Sequence, residues 1–156
     1  MTSTHIEHPE DLILTGDMSV IDALFAPADI TMKMDGMSLV WGTNPDNGKF
    51  FVCTKAAFNK KKHRICYTTE DINTYFGHQD DVANMLFLML KFIPQKSFPG
   101  VYQGDFMGFG GTDTFKPNTL TYVFPEDITQ SIVIAPHTIY TVDDKLSNAV
   151  AEPLME

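Results

Sequence analysis

The chain has few cysteines and no apolar run long enough to cross a bilayer. It also lacks any glycine after Gly111. Two cysteines, Cys53 and Cys66, can build neither a disulfide framework nor a zinc site, so reduced thiols are expected. The most apolar stretch, Met85 to Leu90, is far too short for a membrane span, which excludes a helical membrane anchor there. The N-terminus, MTSTHIEHPED, is polar and acidic and does not read as a secretory leader. No internal repeat, Walker-type loop or Ser-His-Asp set is evident. Positive charge is also scarce. Lysine and arginine total 11 against 20 aspartates and glutamates, for a net charge of −9. That excess excludes non-specific nucleic-acid binding by the whole surface.

What remains is a 156-residue chain with 44% hydrophobic and 20% charged residues, enough for one domain with a core. Residues 1–142 read as that domain. Residues 143–156 read as a tail, frayed or without regular structure. Of the 11 basic residues, six (Lys49, Lys55, Lys60, Lys61, Lys62 and Arg64) fall within 16 positions. That segment is a solvated loop or an anion-facing patch.

Short helices are expected over His8–Leu14, with Pro9 in the first turn and Gly16 as the stop, and over Ser19–Ala26. Strands are expected at Ile30–Asp35 and Ser38–Gly42, then a turn at Asn44–Gly48 and a strand at Lys49–Lys55. Ser38 to Lys55 thus forms a hairpin. Thr68 with Asp71 three residues on resembles a capped helix start, and that helix runs to Phe76. Val82, Met85, Leu86, Met89, Leu90 and Ile93 recur at helical spacing within Asp80–Ile93 and read as core. Gly100–Met107 reads as a strand with Gln103 and Asp105 on one face, followed by a flexible connection at Gly108–Asp113. Further strands are expected at Thr119–Phe124, Ser131–Ala135 and His137–Val142. Helices and strands do not alternate regularly, so the fold class is α+β with a mostly antiparallel sheet and flanking helices.

Chemistry concentrates in three places. Lys33, Asp35 and Gly36 form a K-x-D-G pattern at a strand end, where an amine beside a carboxylate can carry nucleophilic chemistry and glycine permits a sharp turn. Lys55 ends the next hairpin strand, and Asp105 stands beside Gly104 in the stretch YQGDF. In this order they resemble the first part of the covalent nucleotidyltransferases, the ATP-dependent DNA and RNA ligases and mRNA capping enzymes. The resemblance implies the N-terminal part of a ligase-type adenylation domain. Lys33 would be the nucleophile on the α-phosphate of ATP, with Mg2+ as cofactor. Asp35 and Gly36 complete the motif, Lys55 would contact phosphate or ribose, and Gly104 and Asp105 would meet the ribose, with Asp105 where that superfamily usually has Glu.

The chain is also similar to a family of tailed-phage proteins. Thr4–Ile13, Lys33–Gly36, Gly42–Val52, Thr54-Lys55, Tyr67–Ile72, Gln103–Asp105 and Phe115–Tyr122 carry that likeness. It implies a phage-encoded protein of the host cytoplasm or the virion. Its partners would be nucleotide, nucleic acid bound through residues 55–64 (Lys60, Lys61, Lys62 and Arg64 above all), or other phage proteins. The second half of the nucleotidyltransferase motif set, an acid-Gly-apolar strand and a Lys-x-Lys strand, has no counterpart. After Gly111 only Lys116 and Lys145 remain. The chain is therefore read as a fragment or as a degenerate relative. A non-catalytic module of the same fold, binding nucleotide or nucleic acid or serving in virion assembly, is the alternative.

The remaining polar groups read as structural. His5, Glu7 and His8 resemble a metal cluster but suit a solvated or capping role, and no metal site is assigned. His137, after Pro136, reads as a satisfied structural histidine, while His63 is a weak phosphate candidate. Cys53, Trp41, Phe50 and Phe51 read as core, and Phe58, next to the basic loop, as core or as a platform for a stacked base.

Overall fold

A computed structural model describes residues 6, 8–28 and 34–154. Lys33, His5, Glu7 and most of the expected Ile30–Asp35 strand lie outside the described residues. The described end of that strand, Met34–Asp35, is irregular rather than extended in a sheet.

Among the described residues, four α-helices lead or flank the sheet: α1 (Pro9–Leu14), α2 (Ser19–Leu24), α3 (Thr69–Phe76) and α4 (Asp80–Phe92). The described residues also form seven strands: β1 (Met37–Thr43), β2 (Phe50–Cys53), β3 (Val101–Phe109), β4 (Thr112–Phe115), β5 (Tyr122–Ile128), β6 (Ile132–Thr141) and β7 (Val150–Pro153). The main sheet has the order β2-β1-β3-β6-β7 with antiparallel pairing throughout, and β4 with β5 forms a separate two-stranded ribbon. The fold is thus α+β with a mostly antiparallel five-stranded sheet.

Local chemistry explains the elements. The β1–β2 hairpin closes through Asn44, whose N–H donates to the Lys49 carbonyl at 3.0 Å. Gly48, at φ +67°, supplies the left-handed residue of that turn. α3 carries both legs of a capping box. The Asp71 N–H donates to Thr68 Oγ1 at 3.2 Å, and the Thr68 N–H donates to Asp71 Oδ2 at 3.0 Å. α4 buries Ala83, Leu86 and Met89, as its periodicity requires, and packs on α3 and β2. Trp41, Phe51, Leu39, Val52 and Ile72 complete the core.

Several expectations are corrected. The tail is part of the sheet. Leu146 and Ala149 are buried, and β7 pairs with β6 as its edge strand. The strands read at Ser131–Ala135 and His137–Val142 are one strand, β6, which runs through Pro136. Opposite Pro136 the register slips: Gln103 faces Thr138 while the next residue, Gly104, faces Pro136. His137 is therefore the extra residue of a β-bulge, one of the few places an interior strand accepts proline. The connection read as flexible, Gly108–Asp113, carries the end of β3 and the start of β4. Lys55 lies just past β2, opening a 3-10 turn (Lys55–Phe58) capped by Thr54. That turn removes the first residues from the expected basic loop and buries Ala57 and Phe58.

Candidate functional site

Antiparallel register places polar residues opposite one another on one face of the sheet. Ser38 of β1 is paired with Asp105 of β3, and Gln103 of β3 with Thr138 of β6. Cross-strand partners share a face, so these four side chains cluster. Gln103, Asp105 and Thr138 are buried. They line a cavity of about 520 Å3 that is completed by Asp35, Gly36, Lys55, His137 and Tyr140, with Ile6 and His8 at its edge.

Buried polar groups need partners, and here they are tied to one another. The Gly36 N–H donates to Asp105 Oδ2 at 3.2 Å, so the K-x-D-G glycine holds the carboxylate of the third motif directly. Gly36 has a steric reason as well. A Cβ there would lie 2.4 Å from the Phe106 carbonyl oxygen, so glycine is required by this close approach to β3 rather than by a left-handed turn. The Asp35 N–H donates to the Tyr122 hydroxyl at 2.8 Å, and its Oδ2 accepts from Asn118 Nδ2 at 2.8 Å. The motif is thus pinned from β5 and the chain before it. Deeper in, the Tyr140 hydroxyl donates to Gln103 Oε1, and Gln103 Nε2 donates to Ser38 Oγ at 2.9 Å. Burial pushes the Tyr140 phenol up to about 12, which keeps this chain neutral at ordinary pH.

The bulge aims His137 into the same cavity. Its Nδ1 lies 2.7 Å from Thr138 Oγ1. Its Nε2 lies 3.6 Å from Asp105 Oδ1, too long for a hydrogen bond but within ion-pair range when the ring is protonated.

The structure therefore brings together Asp35, Gly36, Lys55 and Asp105. It leaves out the other expected residues. Gly104 faces away from the cavity: a Cβ there would meet the Ala135 carbonyl oxygen at 2.4 Å and the Trp41 ring at 2.7 Å. Its lack of a side chain lets the β6 bulge and Trp41 close on β3. Lys60, Lys61 and Lys62 are exposed on the loop that follows the 3-10 turn, where the Asn59 side chain accepts from the Lys61 and Lys62 amides. None of the three lines the cavity, nor does Arg64, which is half-buried and whose carbonyl accepts from the Cys53 thiol. Burial pushes both Cys53 and Cys66 up to about 12, which removes them as nucleophiles. Sequence reasoning missed Ser38, Gln103, Thr138, Tyr140 and His137 as site residues. The usable signal was the two-residue spacing that puts Gln103 and Asp105 on one face, since a buried polar face needs polar neighbours.

Among the described residues no three His, Cys, Asp or Glu side chains converge as a metal site. Asp35 and Asp105 do border one cavity. Carboxylate oxygens are the donor type that Mg2+ takes, and two of them are fewer than a protein cage for a resident ion needs. A second cavity, of about 550 Å3, lies between α4 and β3 and is lined by Met37, Met85, Phe106 and Phe109, with Asp81 and Lys116 as its charged residues. It holds no comparable polar cluster. No helix among the described residues is long and apolar enough to cross a membrane.

With an α+β sheet built around one polar cavity, the chain belongs to a family of unknown function, DUF6267, whose model matches residues 3–155. No curated protein and no solved structure matches the chain.

Proposed function

We propose that the protein is a phage-encoded, ligase-like nucleotidyltransferase that binds ATP in the Asp35–Lys55–Asp105 cavity. The observation that carries this reading is the convergence of three separate motifs on one cavity: Asp35 and Gly36 before β1, Lys55 after β2, and Asp105 on β3. The Gly36–Asp105 hydrogen bond supports it, because it couples the first and third motifs through the backbone.

Lys33, two residues before Asp35, is the nucleophile of this reading. Its neutral amine attacks the α-phosphorus of ATP. A P–N bond forms, the P–O bond to pyrophosphate breaks, pyrophosphate leaves, and the amine loses a proton to solvent. The product is lysyl-AMP, which in ligases is passed to a nucleic-acid end. Lys55 supplies positive charge to the phosphates, and such charge is commonly the largest contribution in phosphoryl transfer. A cation near an amine also lowers its pKa and frees the nucleophile. Asp35 and Asp105 are the side chains that would hold Mg2+, which neutralises phosphate charge when bound. The exposed Lys60–Lys62 loop suits a nucleic-acid backbone.

A second reading is favoured by the position of the lysines after Gly111. Lys116 borders the other cavity and Lys145 borders neither, so no Lys-x-Lys pair adds charge to the polar cavity. That reading is a non-catalytic module of the same fold that binds nucleotide or nucleic acid, or acts as a virion or assembly component. Incubation with α-labelled ATP and Mg2+ separates the two. Label that stays on the denatured protein and is lost in Lys33→Ala supports the enzyme. A folded protein that stays unlabelled across pH 6–9 contradicts it.

A further inference from the structure

The K-x-D-G stretch lies across a joint between two separate sheets. Its glycine is tied to the main sheet, where the Gly36 N–H donates to Asp105 Oδ2 at 3.2 Å. Its aspartate is tied to the β4–β5 ribbon and the turn within it. The Asp35 N–H donates to the Tyr122 hydroxyl at 2.8 Å, and Asn118 Nδ2 donates to Asp35 Oδ2 at 2.8 Å. We propose that Tyr122 and Asn118 are positioning residues for nucleotidyl transfer. By holding Asp35 they fix the base from which Lys33, two residues upstream, reaches the α-phosphate. The proposal rests on the nucleotidyltransferase reading above and adds two residues that the motif resemblance does not supply.

Three observations carry it. First, the main sheet does not reach Asp35. The β1–β3 ladder begins at the pair Met37–Phe106, and Met34–Asp35 has no regular structure. The two bonds to Asp35 instead span 87 and 83 positions of sequence, so tertiary structure sets them rather than local turn chemistry. Second, the ribbon end that supplies them is anchored. Tyr122 is buried and faces Phe115 across the ribbon. Phe115, also buried, meets the Phe124 ring edge-on at 5.6 Å. It also lies over Gly108 of β3, where a Cβ would come within 3.0 Å of its ring. β3 carries Asp105 three residues earlier, so the ribbon and the cavity are built on one strand. Third, the two contacts divide the work. Tyr122 fixes the Asp35 backbone, and Asn118 fixes the rotation of its carboxylate through a hydrogen bond of the stronger, charge-assisted kind. Asn118 is exposed, so this contact holds no part of the core. Its consequence is placement, and an error of about 1 Å at a reacting group can cost about a hundredfold in rate.

In the step concerned, the Lys33 amine forms a P–N bond to the α-phosphorus of ATP, pyrophosphate leaves with the broken P–O bond, and the amine proton goes to solvent. The test measures that step in the full chain by single-turnover labelling with α-labelled ATP and Mg2+, for the wild type, Tyr122→Phe and Asn118→Asp. ATP affinity is measured by calorimetry with each of these in a Lys33→Ala background, where no transfer can follow binding. Labelling is expected to slow about tenfold in Tyr122→Phe, and further in Asn118→Asp, where a second carboxylate faces Asp35. ATP affinity is expected to stay unchanged, a split between rate and binding that a general loosening of the cavity would not give. Hydrogen exchange supplies a readout apart from activity: in Tyr122→Phe the Asp35 amide is expected to exchange faster while the β1 and β3 amides keep their protection. Variants that label at the wild-type rate overturn the positioning role and leave the nucleotidyltransferase reading standing. Rate and affinity that fall by the same factor overturn it too. A folded wild type that takes no label removes both. Should Tyr122→Phe not fold, Asn118→Asp decides alone, because that side chain is exposed.

Discussion

The two helical pairs of this protein are built on opposite terms. α3, which opens on a capping box, and α4 are adjacent and buried: Ile72, Phe76, Ala83, Leu86 and Met89 all enter the core. α1 and α2 have ordered ends too, with proline opening α1 and the Ser19 N–H and hydroxyl donating to Asp17 before α2. Yet neither buries a single residue. Leu14 is 84% exposed and Phe25 is 86% exposed. Capping and turn chemistry decide where a helix begins and ends, but helices of six residues are marginal without tertiary packing. The difference teaches that the stable unit is the sheet with α3 and α4, which is also the unit that carries the cavity.

Substitutions can break or sharpen that contrast. The largest expected effect is Gly104→Val, because the added side chain meets backbone of β6 at 2.4 Å and the Trp41 ring at 2.7 Å. A loss of about 3 kcal/mol or more is expected, read as a lowered denaturant midpoint. At the other pole, Phe25→Ser is expected to change stability by no more than about 0.5 kcal/mol. Equal effects at the two sites would remove the distinction.

An intermediate effect is expected from pH. Cys53, Cys66 and Tyr140 all belong to the sheet unit, and burial pushes each up to about 12. A raised folded pKa means that the neutral form is favoured by folding. Its contribution is complete below the ordinary thiol pKa of about 8.5, and drains away as pH rises toward 12. Each thiol withdraws up to about 1.4 kcal/mol per pH unit in that window. Thermal unfolding followed from pH 7 to pH 11 is expected to give a flat melting temperature up to about pH 8.5 and a falling one above it. A melting temperature unchanged at pH 11 would show that these groups are not held in the core.

Much of the sheet unit is legible in the sequence because its signals are local. The Thr68–Asp71 cap, the period of α4, the Asn44–Gly48 turn and the shared face of Gln103 and Asp105 are each written within a few residues. What is not legible depends on partners distant in the chain. β7 is four residues long and patternless, and becomes a strand only because the edge of β6 is there to pair with it. Pro136 reads as a break, but a bulge absorbs it opposite Gly104. His137 follows from that bulge, so its place beside Asp105 could not be read from its neighbours in sequence. The basic cluster misleads for a related reason. Its charge is clustered along the chain, while the fold turns Lys55 alone among its members into the cavity.

The most direct test of the central claim is to map where MgATP touches the folded protein by amide chemical shifts. The claim predicts shifts at Gly36, Ser38, Asp105 and Thr138, with the Lys60–Arg64 loop and α2 unmoved. Shifts confined to that loop, or none at saturating nucleotide, would contradict it.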